Sequence, residues 1–316
     1  MNKTAPVPVI NRRPWYQKLW RDLKTNHTLY LYLLPAVVIT LLFHYLPMYG
    51  IQIAFRDFRP VRGITGSTWV GLKHFLRFFK SYQFESLIRN TLSISLMSLF
   101  LAFPFPIFLA LMISQIRNKR LQRITQTITY MPHFISTVVM ASIIIMYLSP
   151  NNGLYGHLVR AFGGTPENLI AKANAFSPIY VITDIWQHSG WDAIIYISAL
   201  SAVDTQLYDA AMVDGASKFK RIIYIDLPSI APTIVILFIL RAGSLMSVGF
   251  EKVFLLQNSL NITKSEVIST YVYKIGLEQS QYSYSSAIDV FNIVINFALL
   301  LTVNTVARRV GETSLW

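Results

Sequence analysis

Residues 208–228 read YDAAMVDGASKFKRIIYIDLP, the most polar long stretch in the C-terminal half of the chain, with apolar runs on both sides. Helical spacing sets Leu207, Ala210, Ala211 and Asp214 on one side of a helix that Thr205 can cap. Gly215 is placed to end that helix, because glycine accepts the left-handed conformation found just past a helix end. Ser217 can cap a second helix whose apolar stripe is Phe219, Ile222 and Ile223, while Lys218, Lys220 and Arg221 face elsewhere. Pro228 is expected to stop this helix and Pro232 to open the next. The segment therefore reads as two short helices with a tight bend, lying at a membrane surface. Periodicity leaves two readings open: an interfacial connector between spans, or a docking element.

The flanks fix the class of protein. Of 316 residues, 53% are apolar and only 14% are charged, against about 25% charged in soluble domains. Several windows reach the roughly 20 apolar residues that cross a hydrocarbon core. Six transmembrane helices are expected, over 29–48, 88–113, 124–148, 178–200, 231–254 and 284–306, making an all-α polytopic membrane protein. Pro104 and Pro106 should kink or locally unwind the second of them. The basic N-terminal stretch and the long apolar run after it predict a retained first span rather than a cleaved leader.

The net charge of +13 follows the positive-inside bias of membrane proteins and needs no nucleic-acid partner. Lys3, Arg12, Arg13, Lys18, Arg21 and Lys24 in the N-tail share a side with Arg117, Lys119, Arg120 and Arg123. Lys218, Lys220 and Arg221 and the C-terminal pair Arg308 and Arg309 fall on that side too. Both termini are therefore expected in the cytoplasm, with a tail over 1–28, a permease domain over 29–306 and a second tail over 307–316. The loop 51–86 stands apart, with six basic residues (Arg56, Arg59, Arg62, Lys73, Arg77, Lys80) against two acidic ones on the opposite side. Anionic lipid headgroups, an acidic ligand or an acidic protein surface would each answer that charge.

Chemistry of its own is not expected in the chain. It contains no G-x-x-x-x-G-K-[ST] phosphate loop, no H-E-x-x-H and no G-x-S-x-G, and no cysteine. Six scattered histidines do not form a metal-ligand pattern. No catalytic and no metal-binding residues are assigned.

Polar residues inside spans are costly and face a cavity or one another. The candidates for a translocation path are Trp186, Gln187, Trp191 and Asp192 in the fourth span, Arg241 in the fifth, and Asp289, Asn292 and Asn296 in the sixth. Carboxamides and charges suit sugar hydroxyls, and flat rings suit the apolar face of a pyranose. The competing role is hydrogen bonding between helices with no ligand involved. Arg241, read as a midplane guanidinium, should pair with Asp192 or Asp289 or meet an acidic substrate. Glu251 and Lys252, at the outer end of the fifth span, either contact a docked protein or are ordinary interfacial charges.

The loop residues also form a recognisable pattern: Asp209-Ala210-Ala211, then Asp214-Gly215-Ala216, then Ile225, Leu227 and Pro228. This resembles the cytoplasmic loop signature of ABC-importer permeases, departing at Asp209, where glutamate is usual. FHYLPMYGIQIAFRDF (43–58), VGLKHF (70–75), YMPHFIS (130–136), GWDAIIY (190–196) and VGFEKVFLL (248–256) are similar to the polysaccharide and lipo-oligosaccharide branch, which includes alginate importers. The resemblance implies a type I importer permease fold in the inner membrane, with residues 205–228, Phe219 among them, seated on an ATPase subunit. It implies a second homologous permease, an ABC ATPase dimer that binds ATP and Mg, an extracytoplasmic solute-binding protein and an oligosaccharide substrate. An acidic, alginate-like substrate fits the basic loop; a neutral oligosaccharide or lipo-oligosaccharide is the alternative. An integral membrane enzyme acting on glycan or lipid, and a channel or scaffold subunit, are the rivals from other classes.

Overall fold

Backbone groups carried through hydrocarbon must bond within their own segment, so apolar runs of this length fold as helices. The computed structural model describes residues 15–311, 314 and 315. Lys3, Arg12 and Arg13 of the N-tail and residues 312, 313 and 316 of the C-tail lie outside them. The main helices, in chain order, are α1 (His27–Phe55), α2 (Phe84–Ser114), α3 (Lys119–Phe134) and α4 (Thr137–Tyr147). They continue with α5 (Phe176–Ser201), α6 (Thr205–Val213), α7 (Lys218–Gly243), α8 (Phe250–Leu256) and α9 (Tyr282–Val310). Among the described residues, α1, α2, α7 and α9 are long and apolar enough to cross a membrane, and the pair α3–α4 qualifies if counted as one bent span. The 26 residues of α5 make it about 39 Å long.

Prolines shape these helices without ending them. A five-residue π turn closes two residues before a proline at Leu41–Tyr45 (Pro47), Ser98–Ala102 (Pro104) and Ile222–Asp226 (Pro228). A proline ring collides with the carbonyl four residues back, and widening the turn moves that carbonyl aside while neighbouring donors stay bonded. The Phe103 amide accordingly donates to Ser98 O at 3.0 Å, and that of Leu227 donates to Ile222 O. The second span is therefore widened at 98–102, as the local unwinding expected there. Pro228, expected to stop the loop helix, does not: α7 runs unbroken from Lys218 into the membrane.

Two expected spans are broken instead. The run 124–148 divides into α3 and α4, which meet at 98°. Ile135 and Ser136 are extended there, and the Ser136 hydroxyl caps α4 by accepting from Val139 N. The run 231–254 ends as a helix at Gly243, and α8 begins only at Phe250. Its apolar composition conceals a turn over 244–249.

Where the sequence predicts only a loop, Arg56–Arg59 (β1) and Gly63–Trp69 (β2) pair as an antiparallel hairpin, followed by a helix at Lys73–Phe79. Part of the loop's charge is spent here. Arg56 donates to Ser67 O at 2.9 Å and lies over the Trp69 ring, and Arg77 lies over Tyr284 at 4.2 Å. Lys73 donates to Asp57 at 2.8 Å, and that bond holds the Asp57 carboxyl below the usual carboxylate range. Arg59, Arg62 and Lys80 have no such side-chain partner among the described residues.

Three apolar clusters hold the helices. One joins α2, α4, α5 and α8 through Ile94, Met140, Val181 and Val253. A second fixes the hairpin side to α9 through Phe78, Leu87, Ile268 and Ile288. The third, with Ala110, Leu111, Tyr196, Leu200 and Ile230, binds the ends of α2 and α5 to the base of α7, beside the polar loop.

Candidate functional site

The polar loop folds as two helices about a single bend. Asp204 rather than Thr205 caps α6, accepting from Gln206 N at 2.9 Å. At its end the Ala216 amide donates to Ala211 O at 2.8 Å and the Gly215 amide to Met212 O at 3.1 Å. These crossed bonds are the closing pattern that requires a left-handed residue, and Gly215 supplies it with φ of +70°. Ser217 then accepts from Lys220 N and starts α7. The bend leaves Met212, Val213 and Phe219 exposed, with Asp209, Asp214, Lys218 and Lys220 around them. Leu227 and Pro228 lie inside α7, and Leu227 packs against the third cluster.

A cavity of about 580 Å³ opens between α2, α5, α7 and the 244–249 turn. Its polar lining includes Ser95, Ser98, Tyr180, Asp184, His188, Asp192, Tyr196 and Arg241. Tyr180, Asp184, His188 and Asp192 recur every four residues, so they share one face of α5. Asp184 is already occupied: His188 Nδ1 lies 3.1 Å from its carboxylate and Lys252 Nζ 3.5 Å. Lys252 is 5% exposed, donates to Tyr180 O and lies over the Tyr180 ring.

Arg241 stands in the last turn of α7, not at mid-helix, where its charge complements the helix's negative end. It shares the cavity with Asp192 but forms no ion pair with it or with Asp289 among the described residues. The expected pairings are therefore not made, and the guanidinium is left facing the open space.

The other path candidates divide between helix contacts and outer faces. Gln187, 3% exposed, donates to Ile135 O at 3.1 Å and holds the break between α3 and α4. Asn296 accepts from Met246 N at 2.9 Å and donates to Ser247 at 2.8 Å, pinning the 244–249 turn to α9. Trp191 stacks on His133 at 4.5 Å with the rings 2° from parallel. Asn292 is buried, Asp289 and Trp186 are exposed, and none of the three lines the cavity. Of the eight, Asp192 and Arg241 line it. Glu251 is exposed, whereas the burial of Lys252 against Asp184 removes it as a surface contact. Asp184, an acid inside the fourth expected span like Asp192, does line the cavity; sequence reasoning missed His188, although its four-residue spacing from both aspartates is visible in the sequence.

Known proteins resemble the chain over nearly its whole length. Residues 102–312 match the family described as binding-protein-dependent transport system inner membrane component. The polygalacturonan/rhamnogalacturonan transport system permease protein YteP of Bacillus subtilis (strain 168) is 41% identical over 308 residues, 98% of this chain and 96% of that one. A bacterial ABC transporter involved in the import of the acidic polysaccharide alginate contains a chain of TM-score 0.85 and 38% identity, covering 92% of this chain and 99% of that one. A bacterial alginate ABC transporter in complex with an alginate pentasaccharide-bound periplasmic protein gives TM-score 0.86 at 37% identity, covering 94% and 100%.

Proposed function

The chain belongs to the binding-protein-dependent transport system inner membrane components, as a sugar permease of the ABC-importer kind, and on that premise we propose that it carries acidic oligosaccharides. Its relatives are transport permeases rather than enzymes, so the glycan- or lipid-enzyme reading is set aside. The observation that carries the proposal is Arg241, which lines the cavity with no carboxylate bonded to its guanidinium among the described residues. A planar, permanently charged fork matches a carboxylate in two bonds at once. The substrates of the relatives, polygalacturonan and alginate, supply that carboxylate on every uronate. Serines, tyrosines and Asp192 in the same lining would serve the hydroxyls, and they are what favours the second reading, a neutral sugar.

The rest of the proposed assembly follows from the family. The chain would sit in the inner membrane with six spans, α5 and the bent α3–α4 pair included, and both tails in the cytoplasm. A second permease would close the open side of the cavity, and a binding protein would deliver sugar near the hairpin, with Glu251 as a candidate contact. An ATPase dimer holding ATP and Mg would seat the apolar knob of Met212, Val213 and Phe219. Asp209, Ala210, Ala211, Asp214, Gly215 and Ala216 shape that knob.

Two experiments test these assignments. Affinity-tagged chain should co-purify with a nucleotide-binding subunit, and Gly215→Asp or Asp214→Lys should abolish this while the chain itself stays in the membrane. A complex that survives both changes would refute the docking role of the bend. Neutralising Arg59, Arg62 and Lys80, the loop charges without a side-chain partner among the described residues, should slow uptake of uronate oligosaccharides at low salt more than uptake of neutral ones. Equal slowing of both would remove electrostatic attraction of the substrate as their role.

A further inference from the structure

Asp226 is a buried acid that the transport path does not use. It closes the π turn ahead of Pro228 at the base of α7 and is 1% exposed. A carboxylate in that position must have donors, and it has two. The Tyr208 hydroxyl, from α6 of the loop, donates to one oxygen at 2.5 Å. The Gln115 amide, at the end of α2, donates to the other at 3.1 Å. Two ends of the polar loop and the distant end of α2 therefore meet on one side chain, next to Leu227, which packs against the cluster of Leu111, Leu200 and Ile230. Burial, and the carboxylate beside it, push the Tyr208 hydroxyl above its ordinary range, which keeps it a donor.

We propose that Tyr208, Asp226 and Gln115 form a clasp that transmits movement of the polar loop to α2 and α7 together. The proposal rests on reading the loop as the element that docks the ATPase. Apart from the clasp, α6 joins the spans through the short turn at 202–204 and the bend at Gly215. With the clasp, a shift of α6 draws the base of α7 through Asp226, and draws the end of α2 through the same carboxylate. The wide turn at Ile222–Asp226 serves this role. It sets Asp226 toward the other two segments while the helix continues past Pro228. These are positioning residues; none of them lines the sugar cavity.

The test uses the assembled transporter, with its partner permease, ATPase and binding protein, reconstituted in vesicles. Sugar taken up per ATP hydrolysed is measured beside complex yield and thermal stability. Tyr208→Phe, which removes one hydroxyl, and Asp226→Asn should each lower the ratio about tenfold, the scale of one lost bond to a charged group. Subunits should still co-purify. The double variant should be no worse than either single one, because the two changes break the same link. A purely structural role predicts lower yield or stability with an unchanged ratio in the complexes that survive, and that result overturns the clasp. An unchanged ratio with full yield overturns it as well. If the unaltered chain bound no nucleotide-binding subunit, the docking reading would fall and the clasp with it, an outcome the co-purification step identifies separately.

Discussion

Changing Arg241 to leucine is expected to cut uptake of uronate oligosaccharides by roughly 30-fold to 4,000-fold, the range for removing one side of a desolvated charge pair. Uptake of a neutral oligosaccharide of equal length, if the transporter accepts one, should change little. The reason lies in how the cavity's charges are shared. His188 and Lys252 already satisfy Asp184, at 3.1 and 3.5 Å. Arg241 and Asp192 remain, without an ion pair between them, and only Arg241 attracts an anion. Leucine at 241 would leave Asp192 alone to face a uronate in a cavity of low dielectric, where repulsion is strong. Arg241→Lys should restore part of the uptake, because a point charge replaces the fork without its paired geometry. Radiolabelled uptake of acidic and neutral oligosaccharides by the same cells measures the difference. Equal loss for both would return Arg241 to a structural role.

How the chain would fold was legible wherever local chemistry decides the outcome. Thus Gly215, flanked by a helix end and a serine cap, has the left-handed conformation that its neighbours require. The break in the third expected span was also signalled, by Pro132 and by Ser136 as a cap, but the apolar run around them masked it. Pro228 misled for a physical reason: proline stops a helix only when the turn before it cannot widen, and at 222–226 it widens. The site was harder to read, because its roles depend on partners distant in sequence. Lys252 looks like a surface charge until Asp184 is found beside it, and Gln187 looks like a sugar ligand until Ile135 O takes its amide. Arg241 was placed at midspan because the 244–249 turn is composed like a helix.

Replacing Gly190 by alanine should by itself remove most of the folded permease, and valine should do little further harm. The helices α5 and α3 touch at this point. A Cβ built on Gly190 would lie 2.0 Å from Thr129 O and 2.4 Å from Thr129 C, both backbone atoms that no rotamer change can move. Small residues let helix backbones approach this closely in membranes. To admit any side chain α3 must retreat, and two contacts adjoining the approach would open with it. One is the His133–Trp191 stack, formed one helical turn after Thr129 and one residue after Gly190. The other is the Gln187 bond that holds the bend after α3. Overpacking of this kind costs about 1–3 kcal/mol and occasionally more, and the loss of these contacts adds to it. Since the collision is with the first carbon added, the effect should saturate at alanine, unlike a cavity-filling series in which each added group matters. Gly50→Ala is the control: its Cβ would meet nothing within 4 Å. Yield and melting temperature of detergent-extracted chain, followed by fluorescence-detected gel filtration, distinguish these outcomes. A Gly190→Ala chain with the yield and melting temperature of Gly50→Ala would show that the two helices do not pack this closely.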